Sequence, residues 1–160
     1  MPDIIIDGKT RVAFVTSISN RNAPTTAELN AGTLIHDFLT PDGLVSFAPE
    51  TADVDSSALS STFDTKQPGR ASYSGTMLRL KKQSPTADTV YNTLIREFTT
   101  NIVVRRGVAA STAWTAADKA SVYPVVCGEV RDLDPEPNSV QKYEVPVKIS
   151  LEPSLRATVA

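Results

Sequence analysis

Residues 143–152, YEVPVKISLE, alternate without a break: Tyr143, Val145, Val147, Ile149 and Leu151 fall on one face, Glu144, Pro146, Lys148 and Ser150 on the other. A period of two over this length is the mark of a strand with a core face and a wet face. Pro146 cannot donate to a ladder, so the strand is expected at a sheet edge or to have a bulge there. The composition points the same way. Eighteen threonines and sixteen valines, with aromatics at only 6%, favour a sheet over a helical bundle. The 160 residues suit one domain, and 41% apolar with 21% charged residues is ordinary for a globular protein.

Working outward from that strand, RVAFVTSI (11–18) sets Val12 and Phe14 against Ala13 and Val15, a pattern that permits burial on both faces. TTAELNAG (25–32) reads as a helical turn with Thr25 or Thr26 as N-cap and Gly32 beyond its end. TLIHDFLT (33–40) is expected to be extended, PDG (41–43) to turn, and LVSFA (44–48) to resume as a strand. RASYSGTMLRLKK (70–82) reads as one long strand whose apolar parity switches near Thr76–Leu78, which implies a bulge or a crossing between two environments. DTVYNTLIREF (88–98) is the clearest helix: Val90, Leu94 and Phe98, joined by Tyr91 and Ile95, make one stripe to pack on the sheet, with Asp88 as N-cap. NIVVRRG (101–107) and SVYPVVCGEVRDL (121–133) are two further strands separated by a polar segment. The expected fold is mainly β (α+β), a single domain with one flanking helix.

Residues 51–67, TADVDSSALSSTFDTKQ, fit neither period. Seven of these 17 residues are Ser or Thr and none is Gly or Pro, with Val54, Leu59 and Phe63 as spaced apolar anchors. A structureless stretch of this length in a compact domain is uncommon. It reads either as a mobile hairpin tip or as a segment that becomes ordered on a neighbouring subunit.

Chemistry is sparse. His36 is the one histidine and adjoins Asp37; in a strand the two side chains would point to opposite faces and form no relay. A hydrolase using His36 with a distant partner would have no G-x-S-x-G elbow. One Cys and one His supply no zinc tetrad, and DLDPEP (132–137) lacks the glycine and terminal glutamate of a calcium loop. No Gly-rich phosphate loop occurs, so neither metal nor cofactor is expected, and catalysis is not. Cys127, among β-branched residues, reads as a buried thiol. A net charge of -2 argues against an electrostatic nucleic-acid binder; the pairs Lys81-Lys82 and Arg105-Arg106 read as solvated strand ends. No run approaches the ~20 apolar residues of a membrane span. MPDIIIDGKT lacks the basic region of a secretory signal, so the chain is expected to stay where it is made.

The order of these pieces carries a resemblance. TTAELNAG after the first strand, PDGL, a long polar loop ending in FDTKQPGR, one amphipathic helix, then IVVRRG and VYPVVCGEVRDLDPEPNSVQKYEVPV, resembles the major tail proteins (tail tube proteins) of long-tailed siphophages across nearly the whole chain. The resemblance implies a β-sandwich or barrel of the tail tube type with a flanking helix. It also implies hexameric rings stacked into a tube that conducts genomic double-stranded DNA without reading its sequence. The partners implied are other copies of the chain and the tape measure, terminator and baseplate or tip proteins, with no membrane; the location is the virion, after synthesis in the host cytoplasm. Many relatives have a C-terminal immunoglobulin-like domain, which is not expected here. In the family a long early loop docks on adjacent subunits, which assigns residues 51–67 as the assembly loop, with Val54, Leu59, Phe63, Asp64 and Lys66 at the interface. Asp53, Asp55 and Asp64 are expected to contribute to the lumen. The N-terminal arm (1–10) and C-terminal tail (152–160) are further candidates for contact between rings. The rival readings are a terminator or connector subunit forming one closed ring, and a monomeric β-sandwich binding module.

Overall fold

Eleven strands and two single-turn helices follow one another in the computed structural model, which describes residues 1–160. Their order is β1 (Thr10–Val15), α1 (Thr26–Asn30), β2 (Thr33–Leu34), β3 (Leu39–Val45), β4 (Glu50–Asp55), β5 (Lys66–Ser72), β6 (Met77–Lys81), α2 (Thr89–Thr93), β7 (Thr99–Arg106), β8 (Lys119–Cys127), β9 (Arg131–Asp132), β10 (Lys142–Ile149) and β11 (Ser154–Thr158). Nine strands form one antiparallel sheet, β2-β1-β7-β8-β10-β6-β3, with β11 also beside β8 and β9 beside β10. It curls into a half-barrel. β4 and β5 form a separate hairpin.

The alternating stretch is β10, and it is an interior strand, contrary to the expectation from Pro146. Residues 142–146 pair with β6, whereas Val147–Ile149 pair with β8. The missing N–H falls on the edge that β8 and β9 share, in the gap between them. Pro146 O accepts from Gly128 N (2.7 Å), and Val147 N donates to Thr76 O (3.0 Å). The wet face is also broken: Glu144 is 4% exposed, held by Arg79 Nε (3.0 Å) and by Arg131, while Asp42 takes a second nitrogen of Arg79.

The concave side of the half-barrel holds the main core, including Val12, Phe14, Leu78, Leu80, Ile102, Tyr143 and Val145. A second cluster covers the other face of β1, β7, β8 and β11: Ala13, Val15, Val103, Val122 and Ala157 under Leu29, Trp114 and Val159. The double burial expected of residues 11–18 is therefore met within β1. Thr25 is the N-cap of α1, in a capping box with Glu28. Residues 154–158 are no free tail. They form β11, which pairs with β8 and buries Ala157.

Five other expectations are corrected. The helix over 88–98 stops at Thr93, although Asp88 caps it as expected (Tyr91 N to Oδ1, 3.0 Å). The sheet captures the following residues: Glu97 N donates to Cys127 O (2.8 Å) and Phe98 O accepts from Cys127 N (2.9 Å). Val90 and Leu94 are buried, Tyr91 meets Tyr143 edge to face, and Phe98 meets Phe14 likewise, but Ile95 is 57% exposed. TLIHDFLT is broken by a turn at 36–38, so His36 and Asp37 are not on opposite faces of a strand; His36 Nε2 lies 3.9 Å from Asp37 Oδ1, too far for a hydrogen bond. PDG lies inside β3 as a bulge between Leu39 and Leu44, where Gly43 is required because a Cβ would come within 2.6 Å of Arg79 O. The stretch 70–82 is two strands. Its parity switch is the passage from hairpin to main sheet through Gly75, at φ +66.

Arg105 is the fifth correction: it is 1% exposed, not solvated. It shares a face with Val103, and the polar segment 107–118 wraps it. Its guanidinium donates to the carbonyls of Ala109 (3.0 Å), Thr112 (2.6 Å) and Ala113 (2.9 Å) and to Asp118 Oδ2 (2.8 Å). Trp114 has Arg105 and Arg11 near its ring, 5.2 and 5.3 Å from the centroid. Arg106 is exposed as expected.

Two stability outcomes follow from this packing. Leu94→Ala should cost about 2–5 kcal/mol in urea unfolding, because the side chain is fully buried. Ile95→Ala should stay within about 0.5 kcal/mol; equal losses would contradict the observed end of α2. For Glu144, burial raises the pKa, but hydrogen bonds and charge from Arg131 and Arg79 outweigh it, so the carboxyl titrates below its ordinary 4.5. Its stabilisation is complete above that pH and is lost as pH falls through the lower folded value. Glu144→Gln should therefore flatten the acid limb of the stability–pH curve, and an unchanged slope would assign the acid sensitivity elsewhere.

Candidate assembly surfaces

The segment 51–67 is not aperiodic in space. β4 and β5 pair in register from Glu50↔Ser72 to Asp55↔Lys66, with a bulge between Thr51 and Asp53 beside Gly69. A side chain at Gly69 would press on Val54 (3.0 Å) and on Ala52 O (3.1 Å). The abundant Ser and Thr close the neck of the tip. Ser56 and Thr65 share a hydroxyl–hydroxyl bond (3.0 Å), Ser57 Oγ accepts from Thr65 N (3.0 Å), and Ser61 Oγ accepts from Ala58 N (3.2 Å). Asp55 Oδ1 accepts from Ser57 N (2.9 Å), and that backbone N–H chiefly holds its carboxyl below the usual range.

The hairpin lacks a partner. All of β4 and all of β5 but Gly69 are exposed, and no third strand joins them. Two-stranded hairpins on their own are marginal in water. Leu59 and Phe63 stand at the tip in full or nearly full exposure, and Val54 is half exposed on the stem. Asp53 and Asp55 are two residues apart and share one face of β4, opposite Val54. Lys66 Nζ reaches Asp53 across the hairpin (3.1 Å), whereas Asp64 makes no ion pair. The hairpin thus brings together Asp53, Val54, Asp55 and Lys66, with Leu59, Phe63 and Asp64 beyond them at the tip. Val90 and Leu94 are buried in the main core, and Tyr91 and Phe98, partly buried, pack against it.

The N-terminal arm is a second uncovered surface. Gly8 O and Lys9 O accept from Ala110 N (2.9 Å) and Gly107 N (2.8 Å), but Ile4, Ile5 and Ile6 before them are exposed. A third is an open cleft of about 940 Å³ between β5 and the β10–β11 connection. Sequence reasoning did not find this cleft, because its two walls are about 80 residues apart in the chain.

No three His, Cys, Asp or Glu side chains are grouped to hold a metal ion. Burial pushes the Cys127 thiol up to about 11, which keeps it protonated and a poor nucleophile.

The fold has known counterparts. A chain in a solved structure titled "Cryo-EM structure of the anti-feeding prophage (AFP) baseplate, 6-fold symmetrised" superposes with a TM-score of 0.58 at 13% identity, over 96% of each chain. No curated protein sequence matches. The family model described as "Phage tail tube protein" matches residues 1–160. The chain therefore belongs to the phage tail tube protein family, structural rather than enzymatic proteins of the virion's tail.

Proposed function

We propose that the chain forms hexameric rings that stack into a tube, enclosing a channel through which genomic DNA passes. The observation that supports this most is the β4–β5 hairpin, whose two strands have exposed faces and free outer edges in the single chain. Free edges are a hazard to a monomer and a joint for a polymer, since their N–H and C=O groups pair with the next chain. Head-to-tail contacts that close make a ring, and stacking leaves the axial direction open. In this reading Val54, Leu59, Phe63, Asp64 and Lys66 lie in the contact with the neighbour, and Asp53, Asp55 and Asp64 contribute negative charge to the lumen. A slightly acidic chain of net charge -2 suits a conduit, because a basic wall would hold DNA by counterion release. The tape measure, terminator and baseplate proteins would be the partners at the ends and inside.

A single closed ring at a tail junction is the second reading, favoured by the likeness to a chain of a baseplate. Copy number per particle separates the two, since a tube subunit recurs along the tail and a junction subunit does not.

Removing residues 57–64 and joining the hairpin with a short turn should leave the melting temperature within a few degrees, since the segment contributes nothing to either core. The same deletion should abolish tube formation in electron microscopy and light scattering. Tubes formed by the deleted chain would defeat the hairpin's role.

A further inference from the structure

The cleft between β5 and β10 has the form of a missing strand. Along β10, Pro146 O and Ser150 N bond toward β8, so the groups of alternate residues face the other way. On that side Val147 N meets Thr76 O, and beyond it the pairing with β6 has ended, which leaves the Ile149 and Leu151 backbone facing the cleft. The opposite wall includes residues 70–72 of β5, a strand paired on one side only. Two open edges thus line one slot.

Its side chains specify an occupant. Tyr73, Ile149, Leu151 and Leu155 give it an apolar lining, Arg70 and Lys148 are exposed cations at it, and Glu152 is the one acid, so the lining is net positive. Neither Arg70 nor Lys148 has a carboxylate partner in the chain. The arm is the complement: Asp3 and Asp7 bracket Ile4, Ile5 and Ile6, all five exposed and both acids unpaired. In its own chain the arm runs elsewhere. Ile4 lies against Gly107, and Ile6 and Asp7 line a different cleft, beside His36 and β3.

We propose that the cleft between β5 and β10 receives the segment Asp3–Asp7 of a second copy of this chain as an added strand. The added strand joins the hairpin to the main sheet, its isoleucines cover Ile149 and Leu151, and its two aspartates meet Arg70 and Lys148. The inference deepens the polymer reading by naming one joint between copies, and it can fail alone.

The test titrates a fluorescein-labelled peptide of residues 1–9 against the full-length chain, read by fluorescence anisotropy. Saturable binding is expected to weaken roughly tenfold or more for Arg70→Glu/Lys148→Glu. A peptide with Asp3→Lys and Asp7→Lys should bind that variant again, a recovery that misfolding would not give. Absence of saturable binding to the wild-type chain would overturn the proposal, as would binding unchanged by the charge reversal or a failure of the swapped peptide to recover it. Electron microscopy of the wild-type chain judges the polymer reading separately. Tubes with a null peptide result keep the tube and remove this joint, whereas peptide binding without tubes keeps the joint and removes the tube.

Discussion

The half-barrel depends on β10 bonding along both of its edges. A strand has two hydrogen-bonding edges, and β10 uses them on three strands: β6 on one side, and β8 with its continuation β9 on the other. Pro146 O bonds toward Gly128, so the missing donor falls on the β8–β9 edge in the gap between those two partners, while on the other edge Val147 N bonds Thr76 O beyond the last pair with β6. A single strand thereby holds both halves of the sheet around Tyr143, Val145 and Val147. Without β10 between them the sheet would be two pieces, each with an apolar face open to water.

Buried charge then fixes what the apolar core leaves loose. Arg105 organises a segment that has no regular structure, because its donors reach three carbonyls and one carboxylate that would otherwise need water. Asp118 shows the competition: burial raises its pKa, and the Thr115 N–H together with Arg105 lowers it further than burial raises it. Glu144 does similar work on the outer side of β10, tying β6 to β9 through Arg79 and Arg131.

Much of this was legible in the sequence where one face meets the core. The strands β1, β7, β8 and β10, the caps Thr25 and Asp88 and the burial of Cys127 follow from period and position. The failures have a common cause, which is that tertiary pairing overrides a local signal. Phe98 completes a helical stripe but is drawn into the ladder opposite Cys127, and Arg105 looks like a strand end until residues 107–118 cover it. The hairpin was hidden for the opposite reason. Strands exposed on both faces have no apolar alternation to show, so β4 and β5 carry no period at all. The family was legible in the order of the pieces, and the receiving cleft was not, since it exists only once β5 and β10 are brought together.

A chain with this many open edges must also avoid joining at random. Its exposed edges are interrupted by the devices that limit β-aggregation: Pro68 within β5, a bulge beside Gly69, and charges on either side of each apolar run. Asp3 and Asp7 keep Ile4–Ile6 from sticking to an acidic surface, and Arg70 and Lys148 keep their cleft from accepting a basic strand. The same charges thus act as a selection rule for the partner: an apolar strand gains the cleft only when its flanks are acidic, so specificity is set by which edges are allowed to meet rather than by how strongly any edge binds.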